Sequence, residues 1–412
     1  MIRLNVILRA LFVLVAVCAG VPSTVAQDVG GDAGGGAGIF RPKNPETKKR
    51  TTKPGPTTTS GGGRTGRTSR PVSAVINDRA EDLLDKANQL RDARKFSEAE
   101  QTYQEVARLK PGDARAAYGL GNVYADQQRW ESAETAYRSA IAFAPNDVDG
   151  LVALSVVLTL PRVDVDNAKR FSEAESFARK AVQIDPKHAV AWDRLGVALQ
   201  ARGILNSETE HSYRRAIDLD PQFAVAYAHL ARVLNRLGKS SEAAPLYAKA
   251  GELAKDAPTL NLVAESLQAE QLWDASQPVL KRALELDPRN PTSLMLMGRY
   301  FIVFKKYQEA EPFLKQATEA SPKAFQPFNL LARAYMGMDR LSDAEANYER
   351  ASQFASTSER KQLAGAFGFE GIGDGYMRAK QKESAARAYQ RALELDPTNK
   401  AAGDKLSKAR SR

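Results

Sequence analysis

The chain holds one cysteine, Cys18, so neither a disulfide framework nor a cysteine-based metal site can form within it. Histidine is nearly as scarce: His188, His211 and His229 are scattered, and their spacing matches no shared metal centre. No GxxxxGK[ST], HExxH, GxSxG or CxxC occurs, which removes the usual phosphate-loop, zinc-protease, serine-hydrolase and redox signatures. Acidic residues are plentiful but sit on helix faces or before prolines, so no acid/base pair stands out. The body also lacks a strong charge of either sign. Of the formal +10, residues 1–78 carry +7, residues 400–412 carry +4, and the remainder carries −1. The high pI therefore describes the two ends and gives no argument for a nucleic-acid-binding fold. What is present is ordinary globular material, 412 residues with 43% hydrophobic, enough for a large core.

One long apolar run exists, over residues 10–21. Arg3 and Arg9 lie before and beside it, Pro22 breaks it, and Thr24-Val25-Ala26 follows. That order reads as a secretory signal peptide over 1–26 with cleavage after Ala26. Twelve residues fall short of the roughly 20 that span a bilayer, and an uncleaved signal anchor is the rival reading. Val17 is too bulky for the residue before a lipidated cysteine, so Cys18 reads as part of the apolar run.

Residues 27–78 are rich in Gly, Thr, Pro, Lys and Arg, with few large apolar side chains. Such a segment buries too little surface to offset its ordering entropy, and the expectation is a disordered linker. Between Arg41 and Arg70 nine basic residues face one acid, Glu46, with no interleaved aromatic. A solvated spacer is the favoured reading. A weak electrostatic contact of residues 41–70 with anionic lipid, wall polymer or an acidic partner is the alternative.

The body repeats. Pro111 and Pro145 lie 34 residues apart. With the closing proline as position 32, Leu120, Gly121 and Tyr124 take positions 7, 8 and 11, and Ala133, Tyr137 and Ala140 take 20, 24 and 27. The frame returns at Trp192-Leu195-Gly196-Leu199, Tyr227-Leu230-Ala231-Leu234, Leu294-Met297-Gly298-Phe301, Phe328-Leu331-Ala332-Tyr335 and Phe369-Ile372-Gly373-Tyr376. Positions 4, 7, 8 and 11 form one stripe of a helix, and 20, 24 and 27 one stripe of a second. Small residues at 8, 20 and 27 let the axes approach, large ones fill the flanks, and proline marks the exit. Neither stripe can be covered alone, so neighbours must stack.

This pattern resembles the tetratricopeptide repeat, W-x₂-L-G-x₂-Y, then A-x₃-F, then P. The resemblance implies an all-α, right-handed α-solenoid of about nine helix hairpins over 79–399, with units near 80–111, 114–145, 148–186, 189–221, 224–255, 257–288, 291–322, 325–356 and 357–397. Residues 400–412 read as a polar capping helix and tail. Unit three carries seven extra residues, expected around 160–170 between its helices. The extra residues 356–365 are expected to extend the first helix of unit nine backward. The glycine-dense "GFEGIGDGY" at 368–376 reads as helix packing, with Gly373 at position 8, and not as a phosphate loop.

Members of the family bind peptides in the concave groove, through positions 2, 5, 9, 12 and 13 of each first helix. Transferred here, these positions give Tyr118, Asn122, Arg232, Asn235, Arg236, Asn261, Glu265, Gln268, Met295, Arg299, Asn329, Arg333 and Met336. Arg232, Arg299 and Arg333 share position 9 and suggest a ladder of guanidiniums along units five to eight, suited to an extended acidic segment. Pairing of these arginines with acids on adjacent repeats, such as Glu265, is the competing reading. The carboxylate clamp known in the family wants Lys at position 5. Here Asn88 and Asn122 hold position 9, but Leu84 and Tyr118 hold position 5, so that activity is not transferred.

The reading is a non-enzymatic protein–protein interaction scaffold. It needs no cofactor or metal, binds no nucleic acid, and is exported to the periplasm or cell envelope. Its alternatives are an assembly factor tethered to membrane or wall through the basic stem, or an accessory subunit of an envelope export or polysaccharide enzyme.

Overall fold

The computed structural model describes residues 43–47, 72–162 and 165–411. The leader-like residues 1–26, Cys18 and most of the stem lie outside these. The described residues divide into two compact units, 1–220 and 221–412, and each is all-α.

The first unit stacks four helix hairpins: α1 (Val72–Asp92) with α2 (Phe96–Leu109), α3 (Ala114–Asp126) with α4 (Trp130–Phe143), α5 (Val148–Leu158) with α6 (Asn167–Ile184), and α7 (Ala189–Ala201) with α8 (Ser207–Leu219). The second holds α9 (Ala224–Arg236) with α10 (Ser240–Leu253), α11 (Ala257–Ala269) with α12 (Trp273–Leu286), α13 (Pro291–Val303) with α14 (Tyr307–Ala320), and α15 (Phe325–Gly337) with α16 (Leu341–Ser352). A short α17 (Thr357–Ala364), the hairpin α18 (Phe369–Arg378) with α19 (Lys382–Leu395), and a terminal α20 (Lys400–Arg410) complete it. Helix α20 buries Ala402, Leu406 and Ala409 and leaves its polar face outward.

The stripe at positions 20, 24 and 27 is buried in every hairpin. It runs from Ala99, Tyr103 and Val106 in α2, through Ala133, Tyr137 and Ala140 in α4, to Ala385, Tyr389 and Ala392 in α19. Position 8 meets position 24 across the hairpin. A methyl added at Gly121 would lie 2.4 Å from the Tyr137 ring, and one at Gly373 2.4 Å from the Tyr389 ring. First helices begin on short polar caps: Asp113, Asp147, His188, Asp256 and Asn290 each accept a bond from a backbone N–H of the following turn.

Three local outcomes differ from the sequence expectation. The linker was expected to end at 78, yet α1 starts at Val72. The insertion of unit three is not wholly a loop. Helix α6 begins at Asn167, one turn earlier than its counterparts, because Asp166 caps it and Arg162 and Arg170 both reach Glu134. Burial works against ionisation of Glu134, but the Arg170 and Arg138 guanidiniums outweigh it and hold the carboxyl below its usual range. Residues 356–365 do not extend α18. Ser356 and Glu359 form a capping box that starts the separate helix α17, and the chain then breaks before α18. Gly368 permits the break, since a methyl there would lie 2.0 Å from the Leu363 carbonyl oxygen. Gly371, Gly373 and Gly375 are likewise close-packed, against the Ala366 carbonyl oxygen, the Tyr389 ring and Leu341, and together these contacts account for the glycine density at 368–376.

A further regularity was not legible in the pattern. The turn inside most hairpins passes through a left-handed residue: Arg94, Gln128, Gln271, Lys305, Asp339 and Lys380, with Gly203 and Gly238 in the equivalent places. Gly121→Ala is expected to lower the thermal midpoint, because overpacking of about 1–3 kcal/mol exceeds a gain in helix propensity of roughly 1 kcal/mol. Gln128→Gly is expected to raise it, since a non-glycine residue at φ 58° bears a left-handed strain of about 1–2 kcal/mol. Thermal unfolding followed by circular dichroism checks both.

Candidate protein-binding groove

In the first hairpins, the groove positions of α1 are Glu81, Leu84, Asn88, Arg91 and Asp92, and those of α3 are Arg115, Tyr118, Asn122, Ala125 and Asp126. They are occupied. Residues 43–47, inside the stretch expected to be disordered, lie against this face as a segment without helix or strand.

Its backbone is held by side-chain amides. Asn122 Nδ2 donates to the Lys43 carbonyl at 2.9 Å, and Asn88 Nδ2 donates to the Pro45 carbonyl at 3.0 Å. Arg115 Nη1 donates to the Glu46 carbonyl at 3.1 Å. Lys43 and Glu46 are thus held from the second hairpin and Pro45 from the first. One side chain is also read. Asn44 Nδ2 donates to Asp92 Oδ2 at 2.9 Å, and Asn44 Oδ1 accepts from Arg91 Nη1 at 2.9 Å. Pro45 is buried.

A second layer fixes these groups. Arg91 is 1% exposed, and its Nε donates to Asp126 Oδ2 at 2.7 Å, which ties α1 to α3. Arg115 forks onto Glu81, with Nη2 donating at 2.7 Å and Nη1 at 2.8 Å. Its bonds to Asp113 hold that carboxyl below the usual range, although burial acts the other way. The asparagines are aimed from beneath. Tyr103 Oη donates to Asn88 Oδ1 at 2.5 Å, and Tyr137 Oη donates to Asn122 Oδ1 at 2.9 Å. With the amide oxygen engaged, the Nδ2 protons point into the groove. Burial raises both tyrosines well above their ordinary pKa, so the hydroxyls remain donors. Tyr389 repeats the bond to Asp374 at 2.7 Å, and Tyr213 makes it to Gln200.

The expected site residues of the second unit fall into two sets. Several are engaged within the scaffold. Asn261 Nδ2 donates to Asn290 Oδ1 at 2.9 Å and its Oδ1 accepts from Ser293 Oγ at 2.7 Å. Asn235 Nδ2 donates to Glu270 Oε2 at 2.6 Å, and Arg236 Nε lies 3.6 Å from Glu270 Oε1. Asn329 and Arg232 are buried, so the guanidinium ladder is not open along its length. Met295, Arg299, Arg333 and Met336 are half-buried. Arg299 Nε donates to Gln268 Oε1 at 2.7 Å. Burial lowers the Arg299 pKa, with Glu265 opposing and Arg333 adding to the shift. Arg333 sits 5.5 Å over the ring of Phe367, which is 61% exposed. In the first unit Tyr118 is buried and packs at 5.8 Å on Tyr137. At the far end Lys405 of α20 donates to Glu370 and Asp374, both at 2.7 Å, and neutralises two groove-facing acids.

Among the described residues no group of three or more His, Cys, Asp or Glu is placed to hold a metal ion. The residues missing from the sequence-based site were Arg91, Asp92, Arg115 and Asp126, with Asn88 noted only for the clamp. All of them occupy the groove positions of the frame, so the signal was present in the spacing.

Stacked hairpins with one groove-facing helix each define the protein as an α-solenoid of helical repeats. Family profiles described as tetratricopeptide repeat match residues 84–148, 264–325, 304–364 and 366–399. Over these residues the chain consists of tetratricopeptide repeats. Tetratricopeptide repeat protein 7B of Homo sapiens is 30% identical over 109 residues, 26% of this chain, and the chain spans only 12% of that protein's length. Among solved structures, MamA 41-end from Desulfovibrio magneticus RS-1 shares 22% identity with a TM-score of 0.37, covering 43% of this chain and 96% of that one. TTC0263, a thermophilic TPR protein in Thermus thermophilus, shares 21% with a TM-score of 0.40, covering 46% and 99%. The pilF structure of Pseudomonas aeruginosa shares 15% with a TM-score of 0.41, covering 53% and 96%.

Tyr137→Phe is expected to cost about 1–3 kcal/mol, because it leaves the buried Asn122 oxygen without its donor. Thermal unfolding of the variant beside the parent measures the loss.

Proposed function

We propose that this protein is a non-enzymatic scaffold of the cell envelope that holds extended segments of protein partners along its concave face. The observation that carries the reading is the grip on residues 43–47, where side chains at groove positions take backbone carbonyls and one amide side chain. Backbone recognition of this kind suits an extended peptide, since carbonyls repeat whatever the sequence, and side-chain contacts add choice. The secretory pattern of residues 1–26 supports export. Among the described residues no helix is long and apolar enough to cross a membrane.

In the second unit Arg299 and Arg333 keep partial exposure at position 9, and they favour an acidic segment there. Arg299→Glu with Arg333→Glu is expected to reduce capture of a partner from envelope extract by at least tenfold while leaving helicity unchanged. Quantitative pull-down with parallel circular dichroism tests this, and undiminished capture by the double variant would discard the acidic-segment reading.

A further inference from the structure

The groove of the first two hairpins is filled by the protein's own stem. The contacts are more selective than a resting tail requires. A primary amide is the one uncharged side chain that presents a donor and an acceptor side by side. Asn44 meets an acceptor, Asp92 Oδ2, and a donor, Arg91 Nη1, both at 2.9 Å. Asp92 is exposed, but Arg91 is not a casual surface group. Arg91 is 1% exposed and is pinned by Asp126. A carboxylate at the same place would face Asp92, and an alanine would lose both bonds. The next residue, Pro45, is buried, and its ring-fixed φ reduces the ordering entropy of binding. Its carbonyl and that of Lys43 are taken by Asn88 and Asn122.

We propose that the concave face of the first two hairpins is a peptide site that reads an Asn-Pro core, and that residues 43–47 occupy it as an intramolecular ligand which an incoming Asn-Pro segment must displace. This rests on the reading of the concave face as a binder of extended segments. It adds the class of ligand and the condition for its entry.

The tether sets the strength of the block. Residues 48–71 join the segment to α1, and a link of that length holds its end at an effective concentration on the order of millimolar. With an intrinsic Kd of about 10–100 μM for the stem segment itself, a competing partner would bind the intact chain about 10- to 100-fold more weakly than a chain whose stem cannot dock. Partners with several contacts along the repeats would overcome this, and short ones would not.

The test uses the full-length chain and a fluorescein-labelled peptide of residues 41–51, read by anisotropy. Three proteins are compared: the parent, the stem variant Asn44→Ala with Pro45→Ala, and that stem variant with Asn122→Ala added. The substituted stem residues lie outside every helix, and thermal unfolding verifies that all three proteins fold. The stem variant is expected to bind the peptide at least tenfold more tightly than the parent. Adding Asn122→Ala, or changing Asn44 of the peptide to Asp, is expected to weaken binding at least tenfold. Equal binding by parent and stem variant would overturn the displacement claim. Failure of the folded stem variant to bind, or equal binding of the Asn and Asp peptides, would overturn the Asn-Pro site. Capture through Arg299 and Arg333 is measured separately, so either failure can be told from failure of the general groove reading.

Discussion

The close passage of two helices at position 8 governs most of what this protein is. Only glycine or alanine lets the first helix ride over the ring at position 24, and the ring in turn fills the space that the small residue leaves. A buried tyrosine ring carries a hydroxyl that must find an acceptor. In four hairpins that acceptor is the amide or carboxylate in the groove-facing part of the first helix, Asn88, Asn122, Gln200 or Asp374, whereas Tyr348 donates to the Phe367 carbonyl. Packing and recognition are therefore one device. The residue that seals the hairpin also aims the group that meets the ligand.

Where position 24 is leucine this link is absent, and the groove is organised differently. Leu280 and Leu314 seal their hairpins without a hydroxyl. There the polar groups facing the groove bond sideways to the next repeat, as Gln268 does to Arg299 and Asn261 to Asn290. These bonds brace successive hairpins and leave fewer donors directed outward. The hairpins sealed by Tyr103 and Tyr137 thus differ in chemistry from those sealed by Leu280 and Leu314, although they share one spacing.

Much of this could be read before any coordinates. Periodicity located the hairpins, because burial of small and large residues at fixed intervals is a local demand of helix geometry. The groove positions were legible for the same reason, and Arg91, Asp92, Arg115 and Asp126 fall on them. Beside the left-handed turn residues, three things were not legible. The start of α17 depends on a Ser356–Glu359 capping box inside residues expected to prolong another helix. The burial of Arg232 depends on its neighbours in space, which a one-dimensional frame does not supply. The docking of residues 43–47 escaped because composition describes a segment's average tendency, whereas a few residues in a glycine- and lysine-rich stretch can still satisfy a specific set of donors and acceptors.

Asn122 holds the carbonyl of Lys43, and Asn88, one repeat earlier, holds that of Pro45. The scaffold therefore advances 34 residues while its guest advances two. Asn44, between those two carbonyls, meets Arg91 and Asp92 of the first hairpin, and Glu46, just beyond them, returns to Arg115 of the second. The guest thus lies along the seam between two neighbouring first helices and is gripped from both sides, so no single hairpin could hold it.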